Sequence, residues 1–317
     1  MILITGSLAF DYVMDFPGKF ADHIMPDKVH MLNVSFLVSQ MQKGFGGTAG
    51  NIGYNLSLLG IECTILGAVG RDFSPYKEFL QRKGVDTSYI KVIENDFTST
   101  AFGITDKSNN QIWGFYTGAD ESSESLSINT IKEKIKFGII APNKPKSMLK
   151  FARQYQNKNI PYLFDPGMQL PHLTSSDLKS AFAGAKIIIG NDYEVALMQK
   201  KTGIRDLHEK FGKDKIIITT LGEKGSHITA GKKSFKIKAA HIESILDPTG
   251  AGDAYRAGFI AGFIRGLDIP TCGQIGAVCA AYTVEKYGTQ THKFTREEFT
   301  QRYQENFGDK LSLSSRT

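Results

Sequence analysis

Short apolar runs alternate with helix-like segments along most of this chain, and this alternation limits the possible folds more than any other feature. The apolar runs are Ile2–Thr5, Cys63–Leu66, Phe137–Ile140, Tyr162–Phe164, Ile187–Ile189 and Ile216–Thr219. The helical patterns are Ala49–Leu59, Pro75–Arg82, Lys146–Asn157, Tyr193–Thr202, Ala254–Arg265 and Gln274–Glu285. Nearly continuous apolar runs are typical of strands that are covered on both faces. We therefore predict an α/β sandwich with a mostly parallel sheet, whose ligands bind at the carboxyl ends of the strands.

Two segments interrupt this alternation. Residues 11–41 show no clean helical pattern, and residues 97–116 alternate apolar and polar side chains on either side of a polar turn at residues 107–110. The second segment predicts a β-hairpin. A hairpin inserted into an α/β fold often acts as a lid that excludes water, although a static edge hairpin has the same pattern. We predict one domain over residues 1–317, with a small β lid formed by these two segments.

The composition is ordinary for a globular protein. The formal net charge is +6, but Lys and Arg are spread along the chain, which argues against a nucleic-acid site. No apolar run reaches the length of a membrane span, and the first residues lack the pattern of a signal peptide. Cys63, Cys272 and Cys279 have no metal-ligand spacing. We therefore expect a cytoplasmic protein with reduced thiols and no nucleic-acid or membrane partner.

A glycine-rich turn at residues 247–253, with the sequence DPTGAGD, precedes the predicted helix at Ala254. Gly250 and Gly252 allow a sharp turn and a close approach to a ligand. Backbone amides at a helix N-terminus bind anions, so this turn suits a phosphate. Asp253 lies at the mouth of the turn, where its carboxylate can accept a proton from a hydroxyl group. The alternative for Asp253 is a simple N-cap.

A second glycine cluster, residues 44–53, runs into the first predicted helix and contains Gly46, Gly47 and Asn51. It is not a Walker A loop, because no Gly-Lys-Ser/Thr follows, and the first strand does not lead into a dinucleotide fingerprint. Asp11 follows the first strand closely. A carboxylate there suits two adjacent hydroxyls of a sugar, and a surface turn is the alternative.

Polar residues also follow two later strands. Asn191 and Glu194 share one face of a predicted helix start. Asn191 suits an N-cap, while a carboxylate at Glu194 could order Mg²⁺ through water molecules. Thr220, Gly222 and Gly225 follow the next strand and suit contacts with phosphate oxygens.

Together these motifs resemble the PfkB, or ribokinase-like, family of carbohydrate and nucleoside kinases along nearly the whole chain. Residues 247–253 resemble the C-terminal signature of that family, and residues 46–51 resemble its N-terminal signature. Asn191 and Glu194 match its Asn-x-x-Glu motif. The resemblance implies a Rossmann-type three-layer α/β/α sandwich with a small β lid.

The resemblance also implies a role for each motif, with ATP as the phosphoryl donor and Mg²⁺ as its ion. The catalytic set would be Asp253 as general base and Gly250, Ala251 and Gly252 as an anion hole. The acceptor-binding set would be Asp11, Gly46, Gly47 and Asn51. The ATP-binding set would be Asn191, Thr220, Gly222, Gly225 and Gly252, with adenine between residues 277–281 and 288–291. The ion-binding set would be Glu194 for Mg²⁺ through water and Asp247 for K⁺, whose use Pro248 leaves open.

The acceptor is less strongly indicated than the reaction. The motifs, including residues 164–171, are most similar to the bacterial and archaeal adenosine or nucleoside kinase branch, which implies transfer to the 5′-hydroxyl of adenosine or a related nucleoside. Lid rings on which a base could stack are Phe36, Phe102, Trp113, Phe115 and Tyr116, unless they simply pack the hairpin. A sugar kinase acting on ribose or fructose is the alternative, and a binding protein without turnover is a third reading that the intact Asp253 turn disfavours. Relatives occur as monomers and as homodimers, so the oligomeric state stays open.

Overall fold

The computed structural model of the chain describes residues 1–108 and 110–313. Its strands are β1 (Ile2–Thr5), β2 (Ala9–Asp15), β3 (Gln40–Gly46), β4 (Cys63–Gly70), β5 (Ile90–Ile93), β6 (Ser99–Thr105), β7 (Gln111–Tyr116), β8 (Phe137–Ile140), β9 (Tyr162–Phe164), β10 (Ile187–Asn191), β11 (Ile216–Thr220), β12 (Ser226–Ala230) and β13 (Lys233–Ile237). Its α-helices are α1 (Thr48–Leu58), α2 (Ser74–Arg82), α3 (Pro145–Asn157), α4 (Ser175–Gly184), α5 (Asp192–Thr202), α6 (Leu207–Phe211), α7 (Ala251–Ile264), α8 (Ile269–Val284) and α9 (Arg296–Phe307).

The larger sheet has the strand order β13-β12-β11-β10-β9-β8-β1-β4-β5. Neighbours from β11 to β5 pair in parallel, whereas β12 and β13 add to the β11 edge in antiparallel fashion. The predicted mostly parallel sheet is therefore confirmed, with an antiparallel extension that the sequence patterns do not indicate. Parallel pairing brings the carboxyl ends of these strands to one edge, where the loops that follow them meet.

Helices cover both faces of this sheet, which gives three layers. Neighbouring residues of β11 illustrate the arrangement, because Ile218 belongs to one buried core and Ile217 to the other. Helices α1, α2, α7, α8 and α9 contribute to the first core, and α3, α4, α5 and α6 to the second. Among the described residues, none of the helices combines the length and hydropathy needed to cross a bilayer.

A second, smaller sheet with the order β3-β2-β6-β7 forms the lid. The central pair, β2 and β6, is parallel, and both outer pairs are antiparallel. Strand β3 continues to Gly46, five residues past the predicted segment 11–41, so the second glycine cluster begins inside the lid. Asp11 lies within β2 rather than in a surface turn. The predicted hairpin turn includes residue 109, which lies outside the described residues.

Helix α7 begins at Ala251, three residues before the predicted start at Ala254. The N-cap position is Gly250, in a left-handed conformation with φ of 79°. Asp253 is therefore the third residue of the helix and not its N-cap. The simple capping role considered for Asp253 is wrong, because glycine occupies the cap position.

Candidate active site

The N-terminus of α7 exposes bare backbone. No side chain in the described part of the chain caps this helix. A Cβ atom at Gly250 would lie 2.9 Å from the Thr289 side chain, and one at Gly252 would lie 2.7 Å from the Arg256 guanidinium. Both positions thus exclude larger residues. The Ala251 amide also donates to Pro248 O at 3.3 Å, and the first-turn amides together with the helix dipole form a site that suits an anion.

The carboxylate of Asp253 meets the second glycine cluster here. Asn51, on α1, donates a hydrogen bond from Nδ2 to Asp253 Oδ2 at 2.8 Å. Asn51 and Asp253, one from each signature, are 202 residues apart in sequence. Burial raises the pKa of the Asp253 carboxyl, the Arg256 charge and the Asn51 hydrogen bond oppose this rise, and the negative charge of Glu194 adds to it. The structure therefore places a half-buried carboxylate, held by one amide, beside a helix end that suits an anion.

A buried ion pair lies below this helix end. The Nε atom of Arg256 is 2.5 Å from Asp165 Oδ2, and its Nη2 donates to Asp165 Oδ1 at 3.0 Å. Burial raises the pKa of Asp165 to about 6, although the Arg256 charge opposes this. Neither residue is among the sequence-predicted site residues. A signal was present, because an arginine in a helix of small and apolar residues needs a buried partner.

Asn191 and Glu194 form a capping box at the start of α5. The Glu194 amide donates to Asn191 Oδ1, and the Asn191 amide donates to Glu194 Oε2, each at 2.8 Å. Glu194 Oε2 also lies 3.9 Å from Arg256 Nη2. The capping role considered from the sequence is therefore present, and the same carboxylate lies beside the buried ion pair near Asp253.

The acceptor-side residues predicted from the sequence also lie together. A Cβ atom at Gly46 would come within 2.2 Å of Asp11 Oδ2, so Gly46 leaves the space that the Asp11 carboxylate occupies. Gly47 is the N-cap of α1 with φ of 83°, and a Cβ atom there would lie 2.6 Å from Ser7 O. Burial raises the pKa of Asp11 to about 6, and the charge of Asp247 adds to the rise. Asp11 therefore lies near the glycine turn of residues 247–253.

Asp247 ties that turn to the loop after α8. Its Oδ1 accepts from the Thr249 amide at 2.9 Å, and its Oδ2 accepts from the Gly288 amide at 3.0 Å. The adenine-flanking role expected for residues 288–291 stays a prediction. In the other expected flank, residues 277–281 of α8, the side chains are buried except for the half-buried Ala280.

The remaining predicted ATP-binding residues lie at the β11 end of the site. Thr220 ends β11, and Gly222 follows it with φ of 59°. Gly225 ends the turn that leads into β12, and a Cβ atom there would collide with Ile237 O, 1.9 Å away. Gly225 is thus required for the β12–β13 hairpin to pack, while Thr220 and Gly222 lie at the edge formed by the carboxyl ends of the parallel strands.

The lid aromatics divide between two faces. Asp11, Ala101 and Phe115 are directly paired across β2, β6 and β7, so they share one face of the lid. Trp113 is two residues from Phe115 on the same strand, and the two rings stack with centroids 5.9 Å apart. Trp113 and Phe115 therefore share a face with the predicted sugar-binding carboxylate.

Phe102 and Tyr116 lie on the opposite face, and Phe36 lies outside the lid strands. Phe102 and Tyr116 alternate with the residues of the Asp11 row, and the Phe102 ring stacks on Tyr12 at 5.3 Å. Phe36 packs against Phe16 and Phe20, at 4.9 and 5.0 Å between ring centroids. The suggestion that rings pack the lid thus fits Phe36 and Phe102, and the base-stacking suggestion fits Trp113 and Phe115.

This geometry agrees with comparisons to known proteins. The family described as pfkB family carbohydrate kinases matches residues 11–296. The nucleoside kinase of Methanothermobacter thermautotrophicus is 31% identical over 312 residues, 97% of this chain and 96% of that protein. A structure of Burkholderia thailandensis nucleoside kinase in complex with inosine has a TM-score of 0.88 and 32% identity, covering 98% of this chain and 100% of that one. The Methanocaldococcus jannaschii nucleoside kinase structure has a TM-score of 0.87 at 29% identity, covering 96% and 98%. This chain therefore belongs to the pfkB family of carbohydrate kinases, and it is a phosphotransferase that acts on a hydroxyl group.

Proposed function

We propose that this chain transfers the γ-phosphoryl group of ATP to the 5′-hydroxyl of a nucleoside, with adenosine or a related purine nucleoside as acceptor. The row of Asp11, Ala101 and Phe115 across the lid carries this proposal. Asp11 suits the sugar hydroxyls, and Phe115 lies two strands away, at about 9–10 Å, with Trp113 stacked on it. An aromatic platform at that distance suits a base attached to the sugar. Similarity to a nucleoside kinase that binds inosine supports the same choice.

In the proposed reaction, Asp253 accepts the proton of the acceptor hydroxyl as the new O–P bond forms and the bond to the ADP oxygen breaks. Asn51 holds the Asp253 carboxylate at 2.8 Å, which fixes the proton acceptor relative to the acceptor site. The backbone amides of Gly250, Ala251 and Gly252 stabilise the negative charge on the transferred group. Phosphoryl transfer depends mainly on such positioning and charge stabilisation.

Two ions belong to the proposal. Mg²⁺ supplies charge neutralisation on the phosphates, and Glu194 suits it through water, because this carboxylate is anchored at the start of α5. Within residues 1–108 and 110–313, no group of three or more His, Cys, Asp or Glu side chains is arranged to hold a metal directly. A K⁺ ion near Asp247 is supported by the negative charges of Asp11 and Asp247, which lie close enough to interact.

A free sugar such as ribose or fructose is the alternative acceptor, because Asp11, Gly46, Gly47 and Asn51 contact only the sugar part of a nucleoside in this proposal. The purified protein is assayed with ATP, Mg²⁺ and a panel of nucleosides and sugars. We expect nucleoside 5′-monophosphates as the dominant products. Ribose or fructose phosphate as the dominant product, with adenosine and inosine unreactive, would contradict the proposed acceptor.

The lid provides a matched pair of variants for the same assay. Trp113→Ala should lower kcat/KM for nucleosides roughly 5- to 150-fold, the equivalent of ~1–3 kcal/mol per stacked base, and leave any activity on free ribose unchanged. Phe102→Ala removes a ring of similar exposure from the opposite face of the lid and should change neither. Equal losses in both variants would indicate that the rings only stabilise the lid.

A further inference from the structure

Gln290 lies in the loop after α8, and its side chain points into the protein. It is 5% exposed. Its Nε2 donates a hydrogen bond to Asn51 Oδ1 at 2.9 Å and another to the Tyr76 hydroxyl at 2.5 Å. Gly50 makes room for this contact, because a Cβ atom there would lie 1.9 Å from the Tyr76 oxygen. Both amide hydrogens of Gln290 are thus committed to buried partners.

Each partner passes a hydrogen bond onward. Asn51, whose Oδ1 accepts from Gln290, donates from Nδ2 to Asp253. Tyr76, whose oxygen accepts from Gln290, donates its own proton to Gly46 O at 2.8 Å. Two chains of hydrogen bonds therefore start at one amide group. One ends at the carboxylate of Asp253, and the other ends at the last residue of lid strand β3.

We propose that Gln290 is a positioning residue that orients Asp253 and the base of the lid from one buried amide. This inference rests on the proposed role of Asp253 as proton acceptor. An asparagine amide has a donor end and an acceptor end, and only the donor end is favourable against a carboxylate. Because Gln290 presents N–H to Asn51 Oδ1, it selects that orientation. Gln290 also presents N–H to the Tyr76 oxygen, so the single hydroxyl proton of Tyr76 is directed to Gly46 O.

The neighbouring residue strengthens the connection to the lid. Thr289 Oγ1 donates to Phe45 O at 2.9 Å. Residues 289 and 290 thus hold two consecutive carbonyl groups at the end of β3, one directly and one through Tyr76. The Gly46 position also borders the Asp11 carboxylate. A substitution that breaks the hydrogen bonds to the end of β3 should therefore weaken acceptor binding. A substitution that breaks the hydrogen bonds from Gln290 through Asn51 to Asp253 should instead lower turnover.

The test is a double-mutant cycle measured on the full chain with ATP, Mg²⁺ and the best nucleoside of the panel. Gln290→Met removes both donors, and we expect kcat to fall about tenfold or more in the wild-type background. In the Asp253→Asn background the same change should alter the residual kcat less than about twofold, because Asn51 no longer faces a carboxylate. Equal losses in both backgrounds, or no loss in either, would overturn the inference.

Two further variants separate positioning from folding. Tyr76→Phe keeps the Asn51 branch, so we expect KM for the nucleoside to rise more than kcat falls. Gln156→Met is the control, because Gln156 also donates to a tyrosine hydroxyl and to a carbonyl, Tyr162 at 2.9 Å and Ser180 O at 3.0 Å, between α3 and α4. It should leave kcat and KM unchanged. If Tyr76→Phe lowers kcat without raising KM, the lid branch of the inference is wrong.

The outcomes also distinguish this inference from the proposed function. A wild-type protein that phosphorylates no nucleoside, or an Asp253→Asn variant with normal turnover, contradicts the proposed function. An active wild type and an impaired Asp253→Asn variant, combined with additive effects of Gln290→Met, contradict only the role of Gln290. Unfolding curves of all variants in urea show whether each protein is folded under assay conditions.

Discussion

A single carboxylate, Asp253, is surrounded by groups with opposing effects on its charge. Burial and the Glu194 charge favour its protonated form, while Arg256 and the Asn51 amide favour its ionised form. A proton acceptor benefits from this balance, because a base works best when its pKa approaches the working pH. The side-chain partners of Asp253 thus tune the group as well as hold it.

Replacing this carboxylate should separate binding from turnover. We expect Asp253→Asn to lower kcat by about 10²- to 10⁴-fold, the usual contribution of a general base, because an amide cannot accept the hydroxyl proton. The dissociation constant for the nucleoside, measured by calorimetry, should change little because the amide is similar in size. Asp214→Asn, at an exposed position outside the site, is the control. Near-normal turnover in Asp253→Asn would remove the assignment of the base.

The raised pKa of Asp253 gives this reaction a pH dependence of known sign. In the proposed reaction the ionised carboxylate is the active form, so kcat should fall as the pH decreases through the pKa of this group. Because burial raises that pKa, the acid limb should lie above the ordinary aspartate value of about 3.9. The measurement is kcat against pH, with circular dichroism at each pH to verify folding. An acid limb at or below that value would contradict the assigned direction.

At the scale of elements, the end of lid strand β3 is packed so closely against its neighbours that it requires glycine at position 46. Gly46→Ala would place a methyl group 2.2 Å from the Asp11 carboxylate and displace it. We expect KM for the nucleoside to rise roughly 5- to 150-fold, in line with the ~1–3 kcal/mol that overpacking costs. Steady-state kinetics at saturating ATP measure this effect.

Another glycine of the same sheet provides the control. A Cβ atom at Gly114, on β7, would meet no described atom within 4 Å. Gly114→Ala should therefore leave KM unchanged. A rise in KM for both variants would mean that the lid tolerates no change anywhere, and the specific contact between residues 46 and 11 would lose its support.

The elements differ in how far the sequence predicts them. The strands of the parallel sheet are predictable because burial on both faces makes them continuous apolar runs, as at residues 187–189. Strand β3 is not, because its residues 40–43 are exposed and show no apolar period. The sequence pattern predicts the start of α7 three residues too late, because Gly250 and Gly252 are poor helix formers. The geometry of the glycine turn, and not helix propensity, sets where this helix begins.

For the whole molecule, the sequence predicts which edge binds ligands but not which side chains touch. Parallel strands with helical crossovers bring their carboxyl ends together, so residues after separate strands converge. The pairing of Arg256 with Asp165, 91 residues apart, depends on how helix α7 packs on the sheet. The contact between Asn51 and Asp253 likewise depends on the packing of α1 on α7, which no local pattern encodes.

Overall stability should depend on a buried histidine behind the site. His292 Nε2 lies 2.9 Å from Asn55 Oδ1, and burial lowers the pKa of His292 to about 4. The unfolded chain binds this proton below pH ~6.5, so this contribution to stability is present above that pH and is lost as the pH falls toward about 4. We expect the free energy of unfolding of wild type to fall, relative to that of His292→Gln, between pH 7 and pH 5.

Urea unfolding at several pH values measures that difference. The exposed His172→Gln variant is the control, because it makes the same side-chain exchange outside the buried interior. A constant difference between wild type and His292→Gln over the same range would show that the buried imidazole is not a source of acid sensitivity.

The lid strands β2 and β3 lie between β1 and α1 in the chain, so residues 9–51 supply both a wall of the lid and Asn51. The residues assigned to the phosphoryl donor come instead from positions 191–291. Substitutions in residues 9–51 can therefore change which acceptor binds. The residues proposed for phosphoryl transfer can stay the same. The hydrogen bonds from Asn51 to Asp253, from Gln290 to Asn51 and from Thr289 to Phe45 O join the early segment to the later one, so an exchanged early segment has to fit all three contacts.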